Sequence, residues 1–175
     1  MKLLFFIYMT LDKAEWHWDS TEELYREKNK VKGNLTQKQA DEIWLRAGNH
    51  IGLFLRWVLD NHFEGEEAIP EECDKVRSGK MSGAEYLMCD LDGTFWDTDV
   101  SKEVHDFVCD YYEKKYFKDY GDTCPVADKD APCYSFISGD DDYKAIKEKM
   151  FEITMTYSIT SSTVLPISDK GETKL

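Results

Sequence analysis

The stretch "TQKQADEIWLRAGNHIGLFLRWVLDNHF", residues 36–63, constrains this chain more than any other. Thr36 and Gln39 have capping-box spacing, in which each side chain satisfies a backbone N–H at the start of a helix. Apolar residues then recur at Ala40, Ile43, Trp44, Ala47, Ile51, Phe54, Leu55 and Val58, which is one face of a helix held over about six turns. Gly48 and Gly52 lie one turn apart on that helix. Each costs about 1 kcal/mol of helix propensity relative to Ala, so their presence implies that another backbone comes close there. Any fold must be assembled around this element.

Weaker signals place the rest. A short helix is expected over residues 20–28, with Trp16 and Trp18 as the only large anchors of its segment. Pro70 can open a short helix over residues 71–76. Ser82 and Glu85 repeat the capping-box spacing, so residues 83–89 should be helical. From Asp99 onward Val100, Val104, Phe107, Val108 and Tyr111 keep helical spacing, with Gly121 as a stop. "CYSFIS" (133–138) reads as a short strand, and "GDDDYKAIKEKMFE" (139–152) as a helix whose acids suit its N-terminus. A buried strand is expected over residues 3–9 and another from Ile153, before a polar end. The expectation is a mainly α fold with a small β component (α+β): one compact domain over residues 1–160, built on three long helices, and a polar tail over 161–175.

"CDLDGTFWDTDV", residues 89–100, raises a catalytic question, because Asp-x-Asp-Gly-Thr is how a haloacid-dehalogenase nucleophile is usually written. That chemistry needs Asp90 at the end of a buried parallel strand, with Asp92 sharing a Mg²⁺ ion and the phosphate. A helix cap opens "AEYLMC" and Glu85 interrupts it, so no such strand is expected. Asp140, Asp141 and Asp142 look like the acidic motif that closes such sites, yet they equally suit a helix start. An EF-hand loop is ruled out by Gly93 standing fourth rather than sixth. The preferred reading is a helix end, an Asp92-Gly93 turn, and re-entry into a helix capped near Asp97 or Asp99. A Mg-dependent phosphohydrolase using Asp90 and Asp92 remains the alternative.

The four histidines, His17, His50, His62 and His105, show no HExxH or clustered Cys/His spacing, so a metal centre would have to be assembled from distant segments. His50 flanks the central apolar stripe and reads as a hydrogen-bonded core or boundary residue. No catalytic, metal-binding or cofactor-binding residue is expected. The five cysteines never form CxxC and are odd in number, which fits reduced thiols in a cytoplasm. The apolar start lacks a cleavage site and reads as mature chain, and no run approaches the ~20 apolar residues of a membrane span.

Lys plus Arg is 22 against 35 for Asp plus Glu, a formal charge of −13 that repels nucleic acid and anionic lipid and favours basic partners. The acids available for such a contact are Glu64, Glu66, Glu67, Glu71 and Glu72 in the connection around Pro70, or Asp140, Asp141 and Asp142.

Through "AEWHW" (14–18), "NHIGLFLRWVLDN" (49–61) and "VRSGKMSGAEYLMCDLDGTFWDTDVSKEVHDFVCDYY" (76–112), the chain resembles an uncharacterised family of small bacterial proteins. The resemblance implies an Asp-Gly turn at Asp92 and Gly93 leading into an aromatic-ending helix. It carries over no catalytic residue. Members look like the small proteins encoded beside polymorphic toxins, which implies an immunity protein that binds and neutralises a cognate, basic toxin. The wording of residues 94–99 and the long acidic connection depart from the family pattern.

Overall fold

The computed structural model describes residues 9–124 and 134–161, with side chains described as far as Phe151. The strand expected over residues 3–9 lies outside that range except for Met9, as does the tail expected over 161–175 except for Ser161. No helix among the described residues is long and apolar enough to cross a membrane.

The chain runs through β1 (Thr10–Lys13), α1 (Ala14–Asn29), α2 (Gln37–Ala47), α3 (Asn49–Asp60), α4 (Pro70–Arg77), α5 (Gly83–Asp90) and β2 (Thr94–Trp96). A 3-10 turn at Asp97–Asp99 follows, then α6 (His105–Tyr111), a π-helical turn (Tyr112–Tyr116), α7 (Phe117–Thr123) and α8 (Asp140–Ser161). The structure is thus mainly helical with a small sheet, as expected. The sheet has two antiparallel strands, β1 and β2, with Asp12 opposite Phe95 and Lys13 opposite Thr94.

Both capping boxes form. The Thr36 hydroxyl accepts from Gln39 N–H, and the Ser82 hydroxyl accepts from Glu85 N–H at 3.1 Å while the Glu85 carboxylate accepts from Ser82 N–H at 2.7 Å. Asp92 and Gly93 take φ of 49° and 69°, and Thr94 N–H donates to the Leu91 carbonyl at 3.0 Å, so the Asp-Gly turn is present. It leads into β2, however, and not directly into a helix.

The three expected long helices are corrected in two places. The central helix breaks at Gly48, whose ψ of 1° leaves helical values, so α2 and α3 are separate elements. The next helix starts at His105 rather than near Asp99, because residues 97–104 are spent on the 3-10 turn and a bridge between Glu64 and Val100. α8 is a long helix, but it continues to Ser161 where a strand was expected. The segment 134–138 is no strand either. It is a strap held by side chains: Arg46 donates to the Ser135 carbonyl at 3.0 Å, and Ser138 N–H donates to Asn49 at 2.8 Å. α1 is longer than expected, and Trp16 points outward while Trp18 packs on Trp44 with ring centroids 4.3 Å apart.

α3 is the axis of the core. Every residue from Asn49 to Leu59 except Arg56 is buried. Phe54 sits among Phe95, Tyr112 and Tyr116, with the two tyrosine rings meeting it edge-on at 4.8 Å. The close approach implied by Gly52 is real, since the backbone of Gly83 and Ala84 in α5 lies directly against it.

Candidate functional site

Two places concentrate chemistry that the fold alone does not require. The first is a cleft of about 400 Å³ between α3, the connection to α4, and the end of α5. Leu55, Val58, Leu59 and Tyr86 are among its apolar walls. Four carboxylates line it, those of Glu67, Asp90, Asp92 and Asp99, and the described lining residues include no lysine, arginine or histidine. Asp90 is the last residue of α5, and one of its carboxylate oxygens is buried with no hydrogen-bond partner among the described residues. Burial, with Glu72 adding repulsion, pushes its pKa above the ordinary carboxylate value. Asp99 accepts from Trp96 N–H at 2.7 Å, yet burial, reinforced by Asp97, raises its pKa to about 6. These carboxylates are held where a positive charge would relieve them.

The sequence-derived acids divide around this cleft. Glu67 lines it and is exposed. Glu64 is committed to Arg77, Glu66 to Lys102 at 2.8 Å and Glu72 to Lys75 at 2.6 Å, while Glu71 is exposed in the first turn of α4. The second group is elsewhere in function. Asp140 pairs with Arg56 at 2.9 Å and Asp141 with Lys144 at 3.4 Å. Asp142, expected on the surface, is buried and accepts from Gly139 N–H at 2.9 Å, closing the start of α8. Asp92 stands in the left-handed turn, exposed. The buried parallel strand that a haloacid-dehalogenase nucleophile requires is not found among the described residues: Asp90 ends a helix, and the sheet is antiparallel.

The second place is a largely buried cluster of Asp12, His17 and His50, with His17 partly exposed, which sequence reasoning did not join. β1 carries Asp12, the first turns of α1 carry His17, and the start of α3 carries His50. His17 Nε2 lies 2.8 Å from one Asp12 oxygen and His50 Nε2 lies 3.1 Å from the other. The imidazoles meet edge to face, at 87° with centroids 4.5 Å apart. Tyr112 donates its hydroxyl to Asp12 at 2.9 Å, and Tyr134 is 3.2 Å from His17 Nδ1. Tyr116 donates to the His50 carbonyl at 2.6 Å, so the π-helical turn supplies two hydroxyls to this cluster. Burial opposes the ionised Asp12, but the bonds from His17 and His50 outweigh it and hold its pKa well below the usual value. Burial pushes His50 below its ordinary value despite the carboxylate beside it. The reading of His50 as a hydrogen-bonded core residue agrees with this geometry. Nothing in the local sequence around any one of the three announces the meeting.

The family model described as a domain of unknown function (DUF7832) matches residues 10–134. That span contains both the acid-lined cleft and the Asp12 cluster. No curated protein and no solved structure matches the chain.

Proposed function

The chain belongs to the DUF7832 family, a domain of unknown function, and on that footing we propose that it is a non-catalytic binding protein for a basic protein partner. The finer form of the reading is an immunity protein that neutralises a cognate toxin. The observation that carries it is the cleft itself: apolar walls, four carboxylates and no cation in its described lining. A lysine or arginine of a partner would lay its alkyl stem along Ala68, Ile69, Leu91 and Trp96 and its charge among Glu67, Asp90, Asp92 and Asp99. Asp90 and Asp99 keep raised pKa values in the free protein, Asp90 despite Lys75 nearby, so a partner's cation gains from carboxylates that burial disfavours in the charged form. The overall charge of −13 speeds encounter with a basic surface. Ile69, exposed at the mouth, supplies an apolar contact beside the acids.

The test uses the product of the adjacent reading frame as partner. Association rates are measured across a salt series for the wild type and for Glu67→Lys with Asp92→Lys. On this reading the variant associates about tenfold more slowly, with a flatter salt dependence. Unchanged kinetics, or no complex at all, removes it. A Mg²⁺-dependent p-nitrophenyl phosphate activity lost in Asp90→Asn would replace it with the phosphohydrolase.

A further inference from the structure

We propose that Asp12, His17 and His50 form a site for one divalent transition-metal ion, zinc in the first instance, that ties β1, α1 and α3 together. One ligand atom from each of the three residues lies within 4.8 Å of the others. Ligand atoms about 2.0–2.1 Å from a common zinc ion stand roughly 2.9–3.4 Å apart. The carboxylate–imidazole separations here, 2.8 Å to one Asp12 oxygen and 3.1 Å to the other, are already near that range, and a side-chain adjustment that draws both imidazoles to one point beside the carboxylate completes the ligand set.

The donor set is the right chemistry. Two imidazoles and one carboxylate suit a borderline cation, and three protein ligands leave a position for water. The site differs from a surface acid cluster in its burial: His50 is 0% exposed and Asp12 8%. Among the described residues no lysine or arginine side chain makes an ion pair with Asp12, so the side chains that can offset its charge are the two imidazoles. In the absence of metal each Nε2 must carry a proton to bond Asp12. With a cation bound, each neutral imidazole carries its proton on Nδ1 instead, which frees the Nε2 lone pair to ligate, and the cation compensates the buried negative charge.

Outer partners are in place for two of the three ligands. Tyr112 donates to Asp12, the Lys13 N–H donates to Asp12 at 2.7 Å, and the Tyr134 hydroxyl faces Nδ1 of His17. His50 Nδ1 is buried with no partner among the described residues, and its ring is oriented instead by the aromatic rings of Phe117 and Tyr120. A pocket of about 200 Å³ is lined by Asp12, Tyr112, Glu113 and Tyr116, on the Asp12 side of the cluster. The proposal reverses the expectation of no metal, and its physical basis is the tertiary meeting of segments that are distant in sequence.

Full-length protein stripped with chelator is titrated with Zn²⁺ by calorimetry and with Co²⁺ by absorbance. The expected result is one equivalent of Zn²⁺ per chain with a Kd at or below micromolar, and a melting temperature that rises with free Zn²⁺. The Co²⁺ spectrum should show d–d bands without thiolate charge-transfer bands. His17→Gln should lose at least roughly tenfold in affinity while keeping the far-UV spectrum of the metal-free wild type. Should that variant fail to fold, ¹H–¹⁵N spectra of the wild type decide: zinc must shift the Nε2 signals of His17 and His50. The proposal is overturned by the absence of stoichiometric binding, by affinity undiminished in folded His17→Gln, by thiolate bands that assign the metal to cysteine, or by unmoved histidine signals.

Discussion

A β-carbon placed on Gly83 would stand 1.8 Å from the carbonyl oxygen of Gly52. The converse holds as well, because a β-carbon on Gly52 would meet Ala84 N at 2.2 Å. α3 and α5 therefore touch backbone to backbone, and no flexible side chain can move aside. The crossing seats α5 so that Asp90 ends at the cleft, which makes this contact a condition of the proposed binding surface.

Replacing either glycine by alanine forces the two helices apart. Gly52→Ala and Gly83→Ala should each cost about 3 kcal/mol or more, or prevent folding. Gly33 is the contrast: its φ is +81° but nothing lies within 4 Å of an added β-carbon. Gly33→Ala should therefore cost only about 1 kcal/mol, from backbone strain alone. Urea unfolding of the three variants checks the ranking.

Asp99 makes a prediction with a definite sign. Its folded pKa of about 6 lies above the ordinary 3.8, so the folded state holds the proton more tightly between those values. The contribution of Asp99 to stability is then fully present below about pH 4, is lost as pH rises from there to about 6, and levels off above. Asp99→Asn can keep the bond from Trp96 N–H and never ionises. It should be more stable than wild type by about 1–3 kcal/mol at pH 7, with the difference fading toward pH 4. Thermal melts across that range measure it.

Asp12 has the opposite sign. Its folded pKa is depressed well below 3.8, so its contribution is fully present above that value and is lost progressively as pH falls below it toward the folded pKa. Asp12→Ala leaves two histidines facing an empty position and should cost about 3–5 kcal/mol at pH 7 in chelator. The gap between variant and wild type should narrow at pH 3. Chemical denaturation at the two pH values decides the point.

The helix caps give a smaller effect. Ser82→Ala removes the acceptor for Glu85 N–H and should destabilise by about 1 kcal/mol without altering the fold. Thr36→Ala should behave alike at the start of α2. Denaturation midpoints with unchanged slopes would bear this out.

Much of the architecture was legible where a short-range rule governs it. Thr36 with Gln39 and Ser82 with Glu85 announce their helices because a cap is settled within four residues. The Asp92-Gly93 turn is equally local, since these two residue types tolerate left-handed backbone. The break at Gly48 was hidden because the apolar face continues across it, while in the fold Leu87 and Ala14 pack against that glycine from other elements. β1 and β2 were missed because each is four residues or fewer and exists through its pairing with the other.

The candidate sites divide in the same way. The acidic surplus and the acids at Glu67, Asp90 and Asp92 can be read directly from the chain, as charge follows from composition. That Glu64 is taken by Arg77 and Asp142 is buried at a helix start depends on neighbours brought from elsewhere. By itself the sequence determined the two capped helix starts at Thr36 and Ser82, the Asp92-Gly93 turn, the buried face of α3 and the sign of the net charge. The tertiary structure alone decided that Asp12, His17 and His50 share one buried point. Their spacing encodes no contact, and only the seating of β1 and α1 on α3 brings a carboxylate and two imidazoles out of water together.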